Sequence, residues 1–285
     1  MAGWLVGWWA KSKSALPASR LPLLASFACL LLVALLPACS ASTAPVVKVG
    51  LVAPFEGRYR AVGYEAIYAA RLAIREINAA GGVSGVRVEL IALDDSGDPG
   101  MAIEQARKVA IDPQVVAVIG HYRPNTTGAA LGAYCAESLP LLAVDSDRSG
   151  DCSSVFLLTP PITDSPSTDP ASFFFVATVP HPVDLPETRS FVESYNAIPI
   201  DGTKAGPIAL QTYDAMYLLF DALGRSIKSD GTASRAEMAK ALVTSNYAGL
   251  GGTYRFDAKG ELVEADRYLY RYSKNGPPEL IEPER

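Results

Sequence analysis

The chain has 285 residues, 49% of them hydrophobic and 19% charged, with 30 acidic against 25 basic residues and a formal charge of −5. That composition builds a buried core over one large or two small domains and excludes general disorder. The acid excess leaves no electrostatic footprint for nucleic acid. The only two histidines, His121 and His181, have no paired ligand spacing, so the sequence calls for no metal and no cofactor.

At the start, Lys11, Lys13 and Arg20 precede an apolar run over 21–36, followed by small residues and Cys39. This is the order of a secretory signal. The alternative, a membrane anchor, needs about 20 apolar residues, and this run is shorter, with Pro22 inside it and Pro37 just after. Residues 1–38 therefore read as an export signal and 39–45 as a spacer. "LPAC" resembles the lipobox of bacterial lipoproteins, which implies lipid attachment at Cys39. Loss of 1–38 removes three basic and no acidic residues, together with all three tryptophans. Cys135 and Cys152 remain, and in an exported protein they either form a disulfide or stay as two buried thiols.

From Val46 the chain alternates strand and helix. "VVKVGLVAP" is a β-branched run ending at proline. From Gly63, apolar residues recur at helical spacing up to "AAGG". "VRVELIALDD" is a second strand, and Asp98-Pro99 supplies a cap and a first-turn proline for a helix through Ala110. "VVAVI" is apolar at every position, as in a parallel strand covered on both faces. A helix over 128–137 and the strand "PLLAV" follow. Units of roughly 30 residues predict an α/β fold with a Rossmann-like, doubly wound parallel sheet over 46–158, complete in itself.

Residues 159–172, "TPPITDSPSTDPAS", form a proline-, serine- and threonine-rich connection. Beyond it, over 173–285, the rhythm changes. "FFFVATV" reads as a strand and "LPETRSFVESYN" as a short helix. Pro207 opens a long apolar helix closed at Gly224, and another helix runs from Ser234 to Val243. "GTYRFDAKGELVEADRYLYRY" is expected to form a hairpin turning at "DAKG". Only about three strands are expected here, with no βαβ repeat.

Ligands of open parallel sheets bind outside the carboxyl ends of the strands. After the third strand, Asn125, Thr126 and Thr127 stand where a helix begins. Hydroxyls and free amides there suit a carboxylate, and they serve equally as plain N-caps. After the fourth strand, Asp145, Ser146 and Asp147 can accept from an ammonium or a hydroxyl, or simply turn the chain. Phe55 and Tyr59 in "FEGRY" suit the wall of a small-molecule pocket, with Tyr122 at the same mouth, or they are packed rings beside a solvated loop. His121 reads as a hydrogen-bonded structural residue, and Asp94-Asp95 as turn and capping chemistry. No Ser-His-Asp order, GxSxG elbow or phosphate-binding glycine loop is present, so no enzyme activity is indicated.

These residues, in this order, resemble the type I periplasmic binding proteins, specifically the leucine/isoleucine/valine-type substrate-binding lipoproteins of ABC transporters. The carrying segments are "VKVGLVAPFEGRYRAVGYEAIYAARLAIREINAAGGVSGVRVEL", "ALDDSGDPGMAIEQARKV", "VVAVIGHYRPNTTGAALG", "LPLLAVDS", "DLPETRSFVESYNA", "LQTYDAMYLLFDAL" and "GTYRFDAKGEL". The resemblance implies two lobes closing on an amino acid or similar small solute, a partner permease, and lipid attachment at the outer face of the bacterial cytoplasmic membrane or in the periplasm. It gives the ligand's α-carboxylate and amino group to Asn125, Thr126, Asp145, Ser146 and Asp147. It also implies three or four further βα units, on the order of 100 residues, between Leu158 and Phe173. Their absence reduces the second lobe to a remnant over 173–285 and is expected to impair closure. The alternative is a structural or sensory interaction lipoprotein that no longer delivers a solute.

Overall fold

The computed structural model describes residues 45–146, 152–159, 174–198, 201–271 and 278–284. The expected export signal over 1–38, Cys39, Asp147 and residues 160–172 lie outside them. No helix among the described residues is long and apolar enough to cross a membrane.

Strands β1 (Val46–Ala53), β2 (Arg87–Asp94), β3 (Val115–Gly120), β4 (Leu141–Ala143) and β5 (Val155–Leu157) form a five-stranded parallel sheet in the order β2-β1-β3-β4-β5. Helices α1 (Arg60–Ala79), α2 (Pro99–Ile111) and α3 (Pro124–Ala136) connect the first four strands. The strand order reverses direction at β1 and β3, the place where such sheets open a crevice at their carboxyl ends.

Both faces of the sheet are covered, as the unbroken apolar run of β3 requires; all six of its residues are buried. Val47, Val49, Leu51, Val116 and Ile119 face a core shared with α1 and with two later helices, α5 (Pro207–Ser226) and α6 (Arg235–Val243). Val52, Val115, Val118, Leu141 and Ala143 face the opposite core, formed with α2 and α3. At the crowded centre, a Cβ on Gly50 would stand 2.9 Å from Val118 Cγ2 and 3.0 Å from Val109 Cγ2, so glycine lets α2 approach the sheet.

Local chemistry sets the helix ends. Asp98 Oδ1 accepts the Met101 amide at 2.8 Å, with Pro99 in the first turn of α2. Helix α3 begins at Pro124, four residues before the expected Gly128, because Arg123 is extended (φ −149, ψ 141) and the proline presets the first helical φ. The N-cap of α5, Gly206, has no side chain to offer. Glu65 of α1 takes that place, its Oε1 accepting the Ala209 amide at 2.9 Å. Further along, the Tyr213 and Tyr217 hydroxyls donate to Glu76 Oε2 at 2.6 and 2.9 Å, fixing α5 along α1.

The second half departs from expectation. The single hairpin expected over 252–272 does not form among the described residues; only its turn does. Phe256 bridges Leu262, and Asp257 Oδ1 accepts the Lys259 and Glu261 amides at 2.8 and 2.9 Å. Strand β8 (Thr253–Arg255) pairs instead with β7 (Asn246–Ala248). Strand β9 (Arg267–Arg271) lies between β6 (Phe174–Ala177) and β10 (Glu279–Glu284) in an antiparallel sheet. The described residues of this half thus hold five strands rather than about three. The physical reason lies in the tyrosines, whose hydroxyls need partners once buried. Tyr270 donates to Asp184 Oδ2 at 2.9 Å and accepts the His181 amide at 2.8 Å, and Tyr268 donates to the Gly251 carbonyl at 3.2 Å. Helix α4 (Arg189–Asn196) packs Phe191 and Tyr195 against Tyr68 and Leu72 of α1.

The turn at 257–260 has a second role. The Leu157 amide donates to the Gly260 carbonyl at 2.8 Å, so the turn occupies the free edge of β5. Gly260 (φ +80) allows this, since a Cβ there would stand 2.0 Å from the Val155 oxygen.

Candidate functional site

Because the five strands run parallel, the loops after β1, β3 and β4 gather at one end of the sheet. In the β1 loop, the Phe55, Glu56 and Ser96 amides all donate to Asp94 Oδ1, at 2.7, 3.3 and 2.8 Å, and the Ser96 hydroxyl donates to Oδ2 at 2.7 Å. Burial opposes the charge, yet the Ser96 hydroxyl and these amides together hold the Asp94 carboxyl below its usual range. One aspartate thus fastens the β1 loop to the β2 loop. A Cβ on Gly63 would stand 2.2 Å from the Pro54 oxygen, so α1 presses directly under Phe55.

In the β3 loop, His121 is fully buried, with Nδ1 2.6 Å from Asp95 Oδ2 and Nε2 3.0 Å from the Tyr134 hydroxyl. Asp95 is equally buried, and its Oδ1 accepts the Gly97 amide at 2.9 Å. This polar chain joins the ends of β2 and β3 to α3. The Thr127 hydroxyl, also buried, faces three carbonyl oxygens, those of His121, Arg123 and Asp145, at 3.3, 2.9 and 2.6 Å. The Thr126 hydroxyl donates to the Arg123 carbonyl at 3.0 Å. With the Asp145 amide on the His121 oxygen at 3.3 Å, the β3 loop, α3 and the end of β4 form one rigid shelf. The Cys135 and Cys152 sulfurs are 1.98 Å apart, a disulfide joining α3 to the chain that enters β5.

The sequence-predicted residues distribute unevenly on this shelf. Phe55 and Tyr59 are half-buried in the β1 loop, Asn125 is exposed in the first turn of α3, and Asp145 and Ser146 are half-buried after β4. Thr126 and Thr127 sit beside Asn125, but their hydroxyl protons are directed at backbone carbonyls inside the shelf. Tyr122 is corrected. It is buried in the core, with its hydroxyl 2.8 Å from Thr212 Oγ1 of α5 rather than at the mouth. Burial pushes this phenol well up, even with Thr212 beside it. Asp147 and Cys39 lie outside the described residues.

Arg123 is the residue that sequence reasoning passed over. Its guanidinium lies 3.7 Å from the centre of the Tyr59 ring, and its Nε is buried without a hydrogen-bond partner. The available signal was a charged residue placed directly before the proline that opens α3. Among the described residues no group of three His, Cys, Asp or Glu could hold a metal ion. Chemically the shelf ties its buried polar groups to one another and leaves Asn125 exposed at the carboxyl end of the sheet.

The sheet order and the place of these loops are those of the α/β fold that type I periplasmic binding proteins share. Residues 46–173 match the periplasmic binding protein family. The chain is similar to the leucine-, isoleucine-, valine-, threonine- and alanine-binding protein of Pseudomonas aeruginosa, 34% identical over 99 residues, which are 35% of this chain and 26% of that one. In fold it is similar to an ABC transporter substrate-binding protein from Desulfitobacterium hafniense in complex with Leu (TM-score 0.68, 17% identity, covering 83% of this chain and 100% of that one). It is likewise similar to the branched-chain amino acid transporter substrate binding protein LivJ from Streptococcus pneumoniae in complex with isoleucine (TM-score 0.65, 16% identity, covering 84% and 100%). The chain spans about a quarter of the length of the curated relatives it matches.

Proposed function

We propose that this chain is the extracytoplasmic, non-enzymatic solute-binding component of an ABC transporter, tethered by lipid at Cys39 and working with a membrane permease. Its solute is an amino acid or a related small carboxylate, the branched-chain amino acids being the first candidates because the relatives above carry those names. The observation that carries the reading is the convergence of the β1, β3 and β4 loops on the start of α3 within the segment that matches the family. In this reading the amides at the start of α3 and the Asn125 side chain meet the carboxylate, while Asp145, Ser146 and Asp147 meet the amino group.

Residues 46–158 supply one wall of the cleft. The segment expected between Leu158 and Phe173 would supply the other, so binding is weak and closure is impaired. Binding without delivery is the second reading, in which the chain acts as a structural or sensory lipoprotein. It is favoured by the inward commitment of the Thr126 and Thr127 hydroxyls.

Thermal unfolding of the purified protein with a panel of neutral and acidic amino acids and small carboxylates tests the proposal. A single-site solute at ten times its Kd adds about 1.4 kcal/mol, so at least one panel member at tens of millimolar should raise Tm. No shift with any member would leave the transport reading without support.

A further inference from the structure

Arg123 carries five N–H donors and a permanent charge. None of its nitrogens has a hydrogen-bond or carboxylate partner among the described residues, and Nε is buried. Buried donors are nearly always satisfied, so this exception asks for an explanation, and an acceptor on a bound solute is one that the geometry allows. The acids at this end of the sheet do not supply one. Asp94 is held by the Phe55, Glu56 and Ser96 amides, Asp95 by His121 and the Gly97 amide, and Asp98 by the Met101 amide. The guanidinium is nevertheless fixed in place by its stacking on Tyr59. That ring is itself packed on Gly97, where a Cβ would stand 2.7 Å from Tyr59 Cδ2 and 3.6 Å from Arg123 Cδ. Arg58 lies over the same ring at 5.6 Å, also without an ion pair among the described residues. A positioned, unpaired cation therefore stands at the rim of the shelf in a chain whose net charge is negative.

From this geometry we infer that Arg123, held by Tyr59, is a specificity-determining residue that selects solutes bearing a second carboxylate, such as an acidic amino acid, over neutral aliphatic ones. The inference rests on the solute-binding reading above and, within its amino acids and small carboxylates, places acidic solutes ahead of the branched-chain candidates that the relatives' names suggest. A second carboxylate accepts from the guanidinium in the bidentate manner that planar donors favour, while a leucine side chain leaves the buried Nε unmet.

The test is a calorimetric titration of the purified protein with L-glutamate and L-leucine at low salt, for the wild type and for Arg123→Met. The wild type should bind glutamate at least about 10-fold more tightly, the factor supplied by a hydrogen bond to a charged group. The variant should bring the ratio of the two dissociation constants close to one. Leucine binding as tightly as glutamate overturns the inference and keeps the transport reading. Binding of neither, by a protein that still unfolds cooperatively, overturns both. An unchanged ratio in a folded Arg123→Met variant also overturns it. Should that variant fail to fold, the wild-type ratio alone decides.

Discussion

Asp214 of α5 should make stability fall as the pH rises from 4 to 8. Its side chain is 1% exposed; Oδ1 accepts the Leu250 amide at 2.9 Å, and Oδ2 accepts the Gly251 amide at 2.7 Å with the Tyr254 hydroxyl at 3.4 Å. Burial pushes its pKa from 3.8 up to about 6, against the lowering effect of the two amides and the tyrosine. The folded chain therefore holds this proton more tightly than the unfolded chain. The resulting stability is complete below about pH 4 and is lost as the pH rises through about 6. A shift of roughly two units, at 1.36 kcal/mol each, is about 3 kcal/mol.

Asp214→Asn separates this effect from all other titrations. A protonated carboxyl can still accept both amides through its two oxygens. An asparagine keeps one oxygen and sets its NH₂ against the second amide, which costs about 1–3 kcal/mol. The variant should be less stable than wild type by that amount at pH 4. At pH 8 the wild type has lost about 3 kcal/mol that the variant never had, so the gap should close or reverse. Urea unfolding of both proteins at several pH values reads this directly, and a gap that stays constant from pH 4 to 8 would refute the reasoning.

Gly97→Ala should destabilise by about 1–3 kcal/mol, because a non-glycine residue is strained at φ +70 and its Cβ meets the Tyr59 ring; a urea midpoint within error of wild type would count against that packing. Cys135→Ser opens a disulfide whose ends are 17 residues apart and should cost about 3 kcal/mol. The wild type should lose the same amount in reductant, and a reductant-insensitive midpoint would contradict this.

The alternating first half was legible because each of its strands is specified locally. The apolar run of β3, the Asp98-Pro99 start of α2 and the glycines after α1 carry their own structural meaning in sequence. The C-terminal hairpin was misread for the opposite reason. Alternation at Tyr268 and Tyr270 marks a strand and its two faces, but not its partner, and the partners β6 and β10 are chosen by contacts distant in sequence. The loops of the site followed from topology. The direction of Tyr122 did not, because Gly120 (φ +139) turns the chain against the Val52 carbonyl in a way no periodicity encodes. Arg123 was invisible for a subtler reason, since the engagement of Asp94, Asp95 and Asp98 with other groups is set by contacts that the sequence does not display.

The same distant contacts bear on how the two halves depend on each other. Helix α5 follows the 159–172 connection, yet its Ala215, Met216, Leu218 and Leu219 are fully buried in one core with Val49 and Leu51 of β1 and Ile119 of β3. Burying the three larger side chains stabilises that core by roughly 1.5–3 kcal/mol each. The helix also closes polar positions in the first half. Gln211 Nε2 reaches the Leu158 oxygen at 3.2 Å and Thr159 Oγ1 at 3.3 Å, and Thr159 Oγ1 in turn donates to the Val144 oxygen at 2.6 Å. The core of the parallel sheet therefore runs across the boundary expected at 158. The helix that covers this face of the sheet thus comes from beyond the 159–172 connection, and a polar substitution at Met216 or Leu219 should destabilise the parallel sheet itself.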